Sequence, residues 1–463
     1  MAEADAEPNE RSNATSTNPP AGALRELPSR FSPPLVGDTL TFLKDPVGFF
    51  AQRTRELGPV FKTKILGDDV VCFVGPEAFT TFLDETYFSR ASASPPHVQE
   101  LLDPDAVPFL DGERFKTRKA LLMQIFAERA LDSYVRTIER VIGRYARRWA
   151  EIGALSWVPE LTSMSMTVAG ALFLGADPEK DDAATEEAFQ TAFGGMLAVP
   201  LKLPFTKFGR ALRARDYLRG VIADAVSEHV KKEHDDAMSR ALAARTKDGE
   251  KLSEKEVAIE TFHFFGAYVP VIGGLSFLAM LLGQHPDVKE KARAEIREKL
   301  GDDPINVASV RKLTYLDHVC RETRRVMPII PMTFFAKVKE ETSFKGYRIP
   351  RGAKAVGVIS STLMDPKTFP EPTKFDPDRW AGARGGARQH AAWVPHGGGA
   401  HLIAHRCAGE QLADLMLKTF AILTLRDYDW SLPPQDFAPT TGQLFATPRG
   451  GLDVRFKRLL ARS

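Results

Sequence analysis

The stretch WVPHGGGAHLIAHRCAGEQLADLMLK, Trp393 to Lys418, decides how the chain is read. Gly397-Gly398-Gly399 strips side chains from a run of backbone, as is needed where a chain must lie against something flat or large. No Lys-Ser/Thr follows it, so it is not a phosphate loop. Cys407 stands just before a segment in which Leu412, Leu415, Met416 and Ile422 form an apolar helical face. Free amides and the positive dipole end at that helix start favour a thiolate, and His405 and Arg406 add positive or hydrogen-bonding character beside it. Three readings stay open on this segment. One is a buried, inert thiol. Another is a zinc site built from His396, His401, His405 and Cys407. The third is a soft anionic sulfur bound to haem iron.

Upstream, LTYLDHVCRETRRVMP (313–328) sets Tyr315, Val319, Glu322 and Val326 at steps of four, three and four, so Glu322 lies on an otherwise apolar helical stripe. A buried carboxylate needs a partner. Arg325, three residues on, shares its side of the helix, and FDPDRW (375–380) could bring Arg379 to the same carboxylate. The alternative is a surface ion pair between Glu322 and Arg325. Further back, no Asp, Glu, Lys or Arg occurs from Thr261 to His285, a run long enough to span a bilayer. It holds His263, Tyr268, Pro270, Gln284 and glycines that include Gly266, Gly273 and Gly274, and it lacks an aromatic or basic belt. A helix buried through a large soluble core is therefore expected, with no transmembrane anchor.

The rest of the pattern fits one body. VFKTKILGDDVVCFV (60–74) reads as two strands around Gly67-Asp68-Asp69. Residues from Pro76 to about Leu300 read as overwhelmingly helical, and another helix is expected at 310–327. FKGYRIPRGAKAVGVIS (344–360) reads as strand, turn, strand. A long loop is expected at 365–406, then a helix from about Ala408 to Arg426. No repeat or linker divides the chain, so a single mainly α domain with a small β portion is expected over 28–463. Residues 1–27 are acidic and polar, without an apolar signal segment, and are expected to be a disordered tail. With 463 residues, 43% of them hydrophobic, the chain is not wholly disordered. Its 62 basic and 60 acidic residues give a formal charge of +2, which lends no support to nucleic-acid binding. Cys72, Cys320 and Cys407, the three cysteines, cannot form a disulfide framework and fit a reducing, cytoplasmic compartment.

Taken together, these segments resemble the cytochrome P450 superfamily of haem-thiolate enzymes, over about Phe31 to Phe456. PPLVGDTLTFLKDP (33–46) resembles its proline-rich lead-in, and Glu322-x-x-Arg325 its helix motif. GYRIPRGAKAV (346–356) and DPKTFPEPTKFDPDRW (365–380) resemble the stretch ending in the arginine of a Glu-Arg-Arg triad, and HRCAGE (405–410) resembles the cysteine loop. The resemblance implies haem b (iron protoporphyrin IX) between a long central helix and the cysteine loop, with Cys407 as axial iron ligand. It further implies that Glu322, Arg325 and Arg379 lock the core behind it, and that Arg118 or Lys119, with His405, meets the haem propionates.

Two positions depart from the family pattern. Ala400 and Ile403 replace the phenylalanine and glycine usual seven and four residues before the cysteine. The longer loop is similar to that of the bacterial branch that oxidises fatty acids with hydrogen peroxide. In the central helix, Val269 and Pro270 replace the acid and threonine of oxygen-activating members, and the peroxide-using branch has arginine and proline there. Reductive cleavage of dioxygen consumes two protons before the O–O bond breaks, and neither residue donates one; Tyr268, His263, ordered water or a substrate hydroxyl would have to serve. Phe264, Phe265, Val269, Val271 and Ile272 suggest a greasy distal wall. Phe193–Tyr217, apolar and basic by turns, reads as a lid with a solvated basic helix rather than a lipid contact. The expected function is a monooxygenase inserting oxygen into a fatty acid, terpenoid, steroid-like or polyketide compound. A separate ferredoxin- or flavodoxin-type donor would feed it, and a monomer is expected. Peroxide-driven oxidation, oxygen-independent rearrangement and a catalytically silent haem protein are the alternatives.

Overall fold

The computed structural model describes residues 24–30, 37–382, 386–443 and 445–459. Residues 1–23 of the expected tail, and 31–36 of the proline-rich lead-in, lie outside the described residues. Residues 24–27 depart from the expected tail. Arg25 bridges to Tyr347 and lies over its ring at 4.2 Å, and Leu27 is buried. One apolar side chain and a cation–ring contact hold a segment whose composition reads as polar.

The helices that position the site are α1 (Gly112–Ile125), α2 (Glu128–Ile152), α3 (Trp157–Phe173), α4 (Ala183–Gly194), α5 (Lys207–Lys231), α6 (Ala237–Ala243), α7 (Glu254–Gln284), α8 (Pro286–Lys299), α9 (Thr314–Val326) and α10 (Glu410–Asp427). In α2, Leu131, Tyr134, Val135, Ile138, Val141, Ile142, Tyr145 and Trp149 are buried. They recur every three or four residues, so one stripe meets α3 and α10 while arginines fill the other face.

From Thr261 onward, helix α7 is apolar all round. A capping box of Ser253 and Glu256 starts it, and its 31 residues make a rod of about 46 Å. Among the described residues it is the one helix long and apolar enough to cross a bilayer, and most of that span is buried by protein. Helices α3, α5, α9 and α10 pack around it. The helix expected at 310–327 is two pieces, a short one at Val307–Arg311 and α9, because the chain leaves helical geometry at buried Leu313 (ψ 72°).

The strands are β1 (Val60–Ile65), β2 (Asp68–Phe73), β3 (Phe88–Ser89), β4 (Ala154–Ser156), β5 (Ala336–Val338), β6 (Thr342–Phe344), β7 (Tyr347–Ile349), β8 (Lys354–Gly357), β9 (Tyr428–Ser431) and β10 (Asp453–Arg458). They form one sheet in the order β1-β2-β8-β5-β3, a second in the order β4-β10-β9, and the hairpin β6-β7. The β1–β2 turn is Leu66-Gly67, one residue earlier than expected. Both residues take positive φ, 55° and 86°, as a two-residue hairpin turn requires, so Asp68 pairs with Ile65. The architecture is mainly α with a small β portion.

Candidate active site

A cavity of about 360 Å³ lies between α7 and the segment Pro395–Gly409. From α7, His263, Gly266, Ala267, Tyr268, Pro270, Val271 and Gly274 line it; Cys407 lines it from the cysteine loop. The Cys407 amide donates to the His396 carbonyl at 3.0 Å, pinning the loop on itself. Burial pushes the Cys407 thiol up in pKa, against the opposing pull of the Gly409 amide and the Lys119 charge. The expected lowering by the helix start is therefore outweighed, since α10 begins at Glu410 and desolvation dominates. Such a thiol gives up its proton on binding a metal.

The triple glycine does two jobs. Gly397 and Gly398 line the cavity, and a Cβ on Gly398 would stand 2.7 Å from the Leu83 side chain. The four residues of the zinc reading do not converge. His396 Nε2 sits 3.0 Å from the Arg324 guanidinium, His401 Nε2 meets the Cys407 carbonyl at 3.0 Å, and His405 stacks on Phe115 at 3.8 Å. Burial, then the neighbouring Arg90 charge, pushes His405 down to about 3.

Of the two expected propionate partners on α1, only Lys119 reaches the cavity. Arg118 turns away, donating to Glu260 at 2.8 Å and to Glu256, because buried Glu260 on α7 requires a cation. Arg90, which sequence reasoning missed, lines the cavity wall instead. Burial lowers its pKa to about 10, so it stays charged at neutral pH. Arg90 and Lys119 are buried, and among the described residues neither has an ion-pair partner; they donate to the carbonyls of Phe334 (3.1 Å) and Arg406 (2.5 Å). No local signal marks Arg90, which lies in the loop after β3.

Behind the cysteine loop, Glu322, Arg325 and Arg379 come together. Arg325 grips both Glu322 oxygens, at 2.7 and 2.9 Å, and Arg379 Nε donates to one at 3.2 Å. The Trp380 indole (3.0 Å) and the Asp376 amide (3.1 Å) complete the shell. Both arginines also reach carbonyls of the 363–374 segment, tying that loop to α9.

On α7 the expectations divide. Phe265 and Val269 do not line the cavity: Phe265 packs against Phe173 and Phe189, and half-buried Val269 packs against the main core. Tyr268 lines it, but its buried hydroxyl has no hydrogen-bond partner among the described residues, and burial pushes its pKa far up. His263 lines it with Nδ1 3.2 Å from Glu260. The lid also departs from expectation. The solvated helix α5 begins only at Lys207, and in the preceding connection Val199, Leu201, Leu203 and Phe205 are exposed while Met196 and Leu197 face the cavity.

A family model described as cytochrome P450 matches residues 28–456. The chain belongs to the cytochrome P450 family. It is 30% identical over 438 residues to putative cytochrome P450 120 of Synechocystis sp., covering 94% of this chain and 97% of that one. A solved structure of retinoic acid bound cyanobacterial CYP120A1 superposes with a TM-score of 0.86 at 31% identity, over 95% of this chain and 100% of that one. Cytochrome P450EX alpha (CYP152N1) with myristic acid shares the fold, with a TM-score of 0.77 at 23% identity over 95% and 100% of the two chains. This P450 is thus an oxidoreductase whose cofactor is haem, and the donor set fits that group. A soft sulfur faces a glycine-lined wall, and two buried cations without an ion-pair partner among the described residues line the same cavity, as a doubly anionic group would need.

Proposed function

We propose that this P450 is a monooxygenase of lipophilic small molecules, in which the Cys407 sulfur would hold the haem iron. The observation that carries the reading is the position of Cys407, across one cavity from the Gly266–Gly274 stretch of α7, with Arg90 and Lys119 on the wall. When bound, haem supplies the iron centre at which the oxidant is activated. The chain supplies the rest. Arg90, Lys119 and His405 would anchor the propionates, and the Glu322–Arg325–Arg379 cluster fixes the loop leading to the cysteine. Phe193, Met196, Phe334 and Phe335 offer an apolar bed that excludes water. A fatty-acid, terpenoid, steroid-like or polyketide skeleton fits that bed, and the retinoic acid held by the cyanobacterial relative is of this lipophilic kind. Electrons would come from a separate ferredoxin- or flavodoxin-type donor in the cytoplasm.

Peroxide-driven oxidation is the second reading, favoured by Pro270, which lines the cavity without a proton to give. Turnover of a lipophile panel with a surrogate reductase and with peroxide alone separates the two. Cys407→Ser tests the ligand: the strongly red-shifted carbonyl band of the reduced protein should vanish, and its retention would refute the assignment.

A further inference from the structure

Away from the cavity, the end of α5 and the start of α6 bring His229, His234 and Asp236 together, each offering a ligand atom within 4.8 Å of the other two. The proposed oxidation uses none of them. His229 and Asp236 are buried and His234 is half-buried. His229 Nδ1 lies 2.6 Å from the Ala225 carbonyl, so that nitrogen carries the proton and donates. Its Nε2 faces Asp236 Oδ2 at 2.7 Å. A lone pair and a carboxylate oxygen repel at that distance unless a cation stands between them, either a second ring proton or a metal ion. A carbonyl holding the remote ring nitrogen is the arrangement that orients metal-ligating histidines. Asp236 is held likewise: its Oδ1 accepts from the Ser239 amide at 2.9 Å, turning Oδ2 to the cluster. The His234 ring nitrogens have no hydrogen bond among the described residues, and the two rings lie 4.6 Å apart. Gly175 closes the cluster. A Cβ there would stand 3.1 Å from His229 Nε2 and 3.4 Å from Asp236 Oδ2, so any side chain would fill the ligand space.

We propose that His229 Nε2, His234 and Asp236 Oδ2 bind one zinc-class divalent ion that ties the end of α5 to the start of α6. Two imidazoles and a carboxylate suit a tetrahedral ion with water in the fourth position, and do not suit calcium or magnesium, which take oxygen ligands. Bonds of about 2.0 Å at tetrahedral angles set ligand atoms about 3.3 Å apart. The Nε2–Oδ2 pair therefore opens by about half an ångström, and the His234 ring, held by no hydrogen bond, swings inward. Because α5 packs on α4 and α7, the ion stiffens the far end of the helix pair beside the cavity.

The test uses the haem-loaded full chain, dialysed against chelator and titrated with Zn²⁺ against a chromophoric competitor. One Zn²⁺ per chain is expected, with a higher unfolding midpoint. His234→Ala should bind at least about tenfold more weakly and lose that rise while keeping the haem absorption spectrum. Asp236→Asn, which keeps an acceptor for the Ser239 amide, should behave alike. Equal binding by His234→Ala, or no stoichiometric binding by the unaltered chain at micromolar zinc, overturns the site. Neither result bears on Cys407.

Discussion

Glu322 is fully buried, and its charge survives there because five donors meet its two oxygens: Arg325 Nε and a terminal nitrogen, Arg379 Nε, the Asp376 amide and the Trp380 indole. Glu322→Gln removes the charge and leaves the Arg325 guanidinium, equally buried, without its counterion. The expected cost is roughly 3 to 5 kcal/mol, read as a lower urea midpoint and haem-poor protein; normal haem loading would count against the cluster. Arg90→Gln should instead fold normally and lose haem faster to an apo-globin acceptor, since its buried charge has no ion-pair partner among the described residues. Asp414 gives a pH dependence. Burial pushes its carboxyl up, but the charges of Arg324 and Lys418, each 2.5 Å away, outweigh this and hold it at about 2. That lies below the ordinary value of about 3.9. The stabilisation is therefore complete above that ordinary value and is lost as pH falls toward 2. Asp414→Asn should lower the urea midpoint at neutral pH and flatten the acid limb of the stability curve.

Among the elements, α7 carries the chemistry and its oddest feature. Pro270 has no N–H, so the Gly266 carbonyl loses its helical partner on a stretch that lines the cavity. Gly266 is needed beside it: a Cβ there would overlap the ring of Phe193, which reaches the helix from α4. Pro270→Thr restores the amide and adds a hydroxyl on the cavity wall. It should raise product formed per NADPH consumed with a surrogate reductase and raise the unfolding midpoint; unchanged coupling would mean that protons arrive by another route. Sequence alone suggests that an arginine at 269, as in the peroxide-using branch, would confer peroxide-driven oxidation of fatty acids. The structure argues otherwise, since Val269 packs on the core and not on the cavity. Val269→Arg should lower the unfolding midpoint without a gain in peroxide turnover.

Over the whole molecule, what sequence made legible is what local pattern encodes. The charge-free run that α7 carries from Thr261 onward and the Glu322–Arg325 spacing each lie within one helix, where the 3.6 period is written directly. Contacts closed by distant loops were not legible: Arg90 on the cavity, Arg118 drawn off to Glu260, and Trp380 on Glu322 depend on segments 140 or more residues apart or on irregular backbone. The greasy distal wall was legible as composition but not residue by residue, because roughly half a helical turn separates Val269, on the core, from Val271, on the cavity. That wall sets the last expectation. Its side chains are overwhelmingly apolar, and Arg90 and Lys119, the buried cations on it without an ion-pair partner among the described residues, are the ones assigned to the cofactor edge. A carboxylate lodged among Phe193, Met196 and Phe334 would lie desolvated and unpaired. A long-chain alcohol should therefore bind at least about tenfold more tightly than the acid of the same skeleton, measured by titrating the absorption change each causes in the haem-loaded protein. If the acid binds more tightly, a cation is reaching the substrate, and Arg90→Gln should erase that preference while leaving the affinity for the alcohol unchanged.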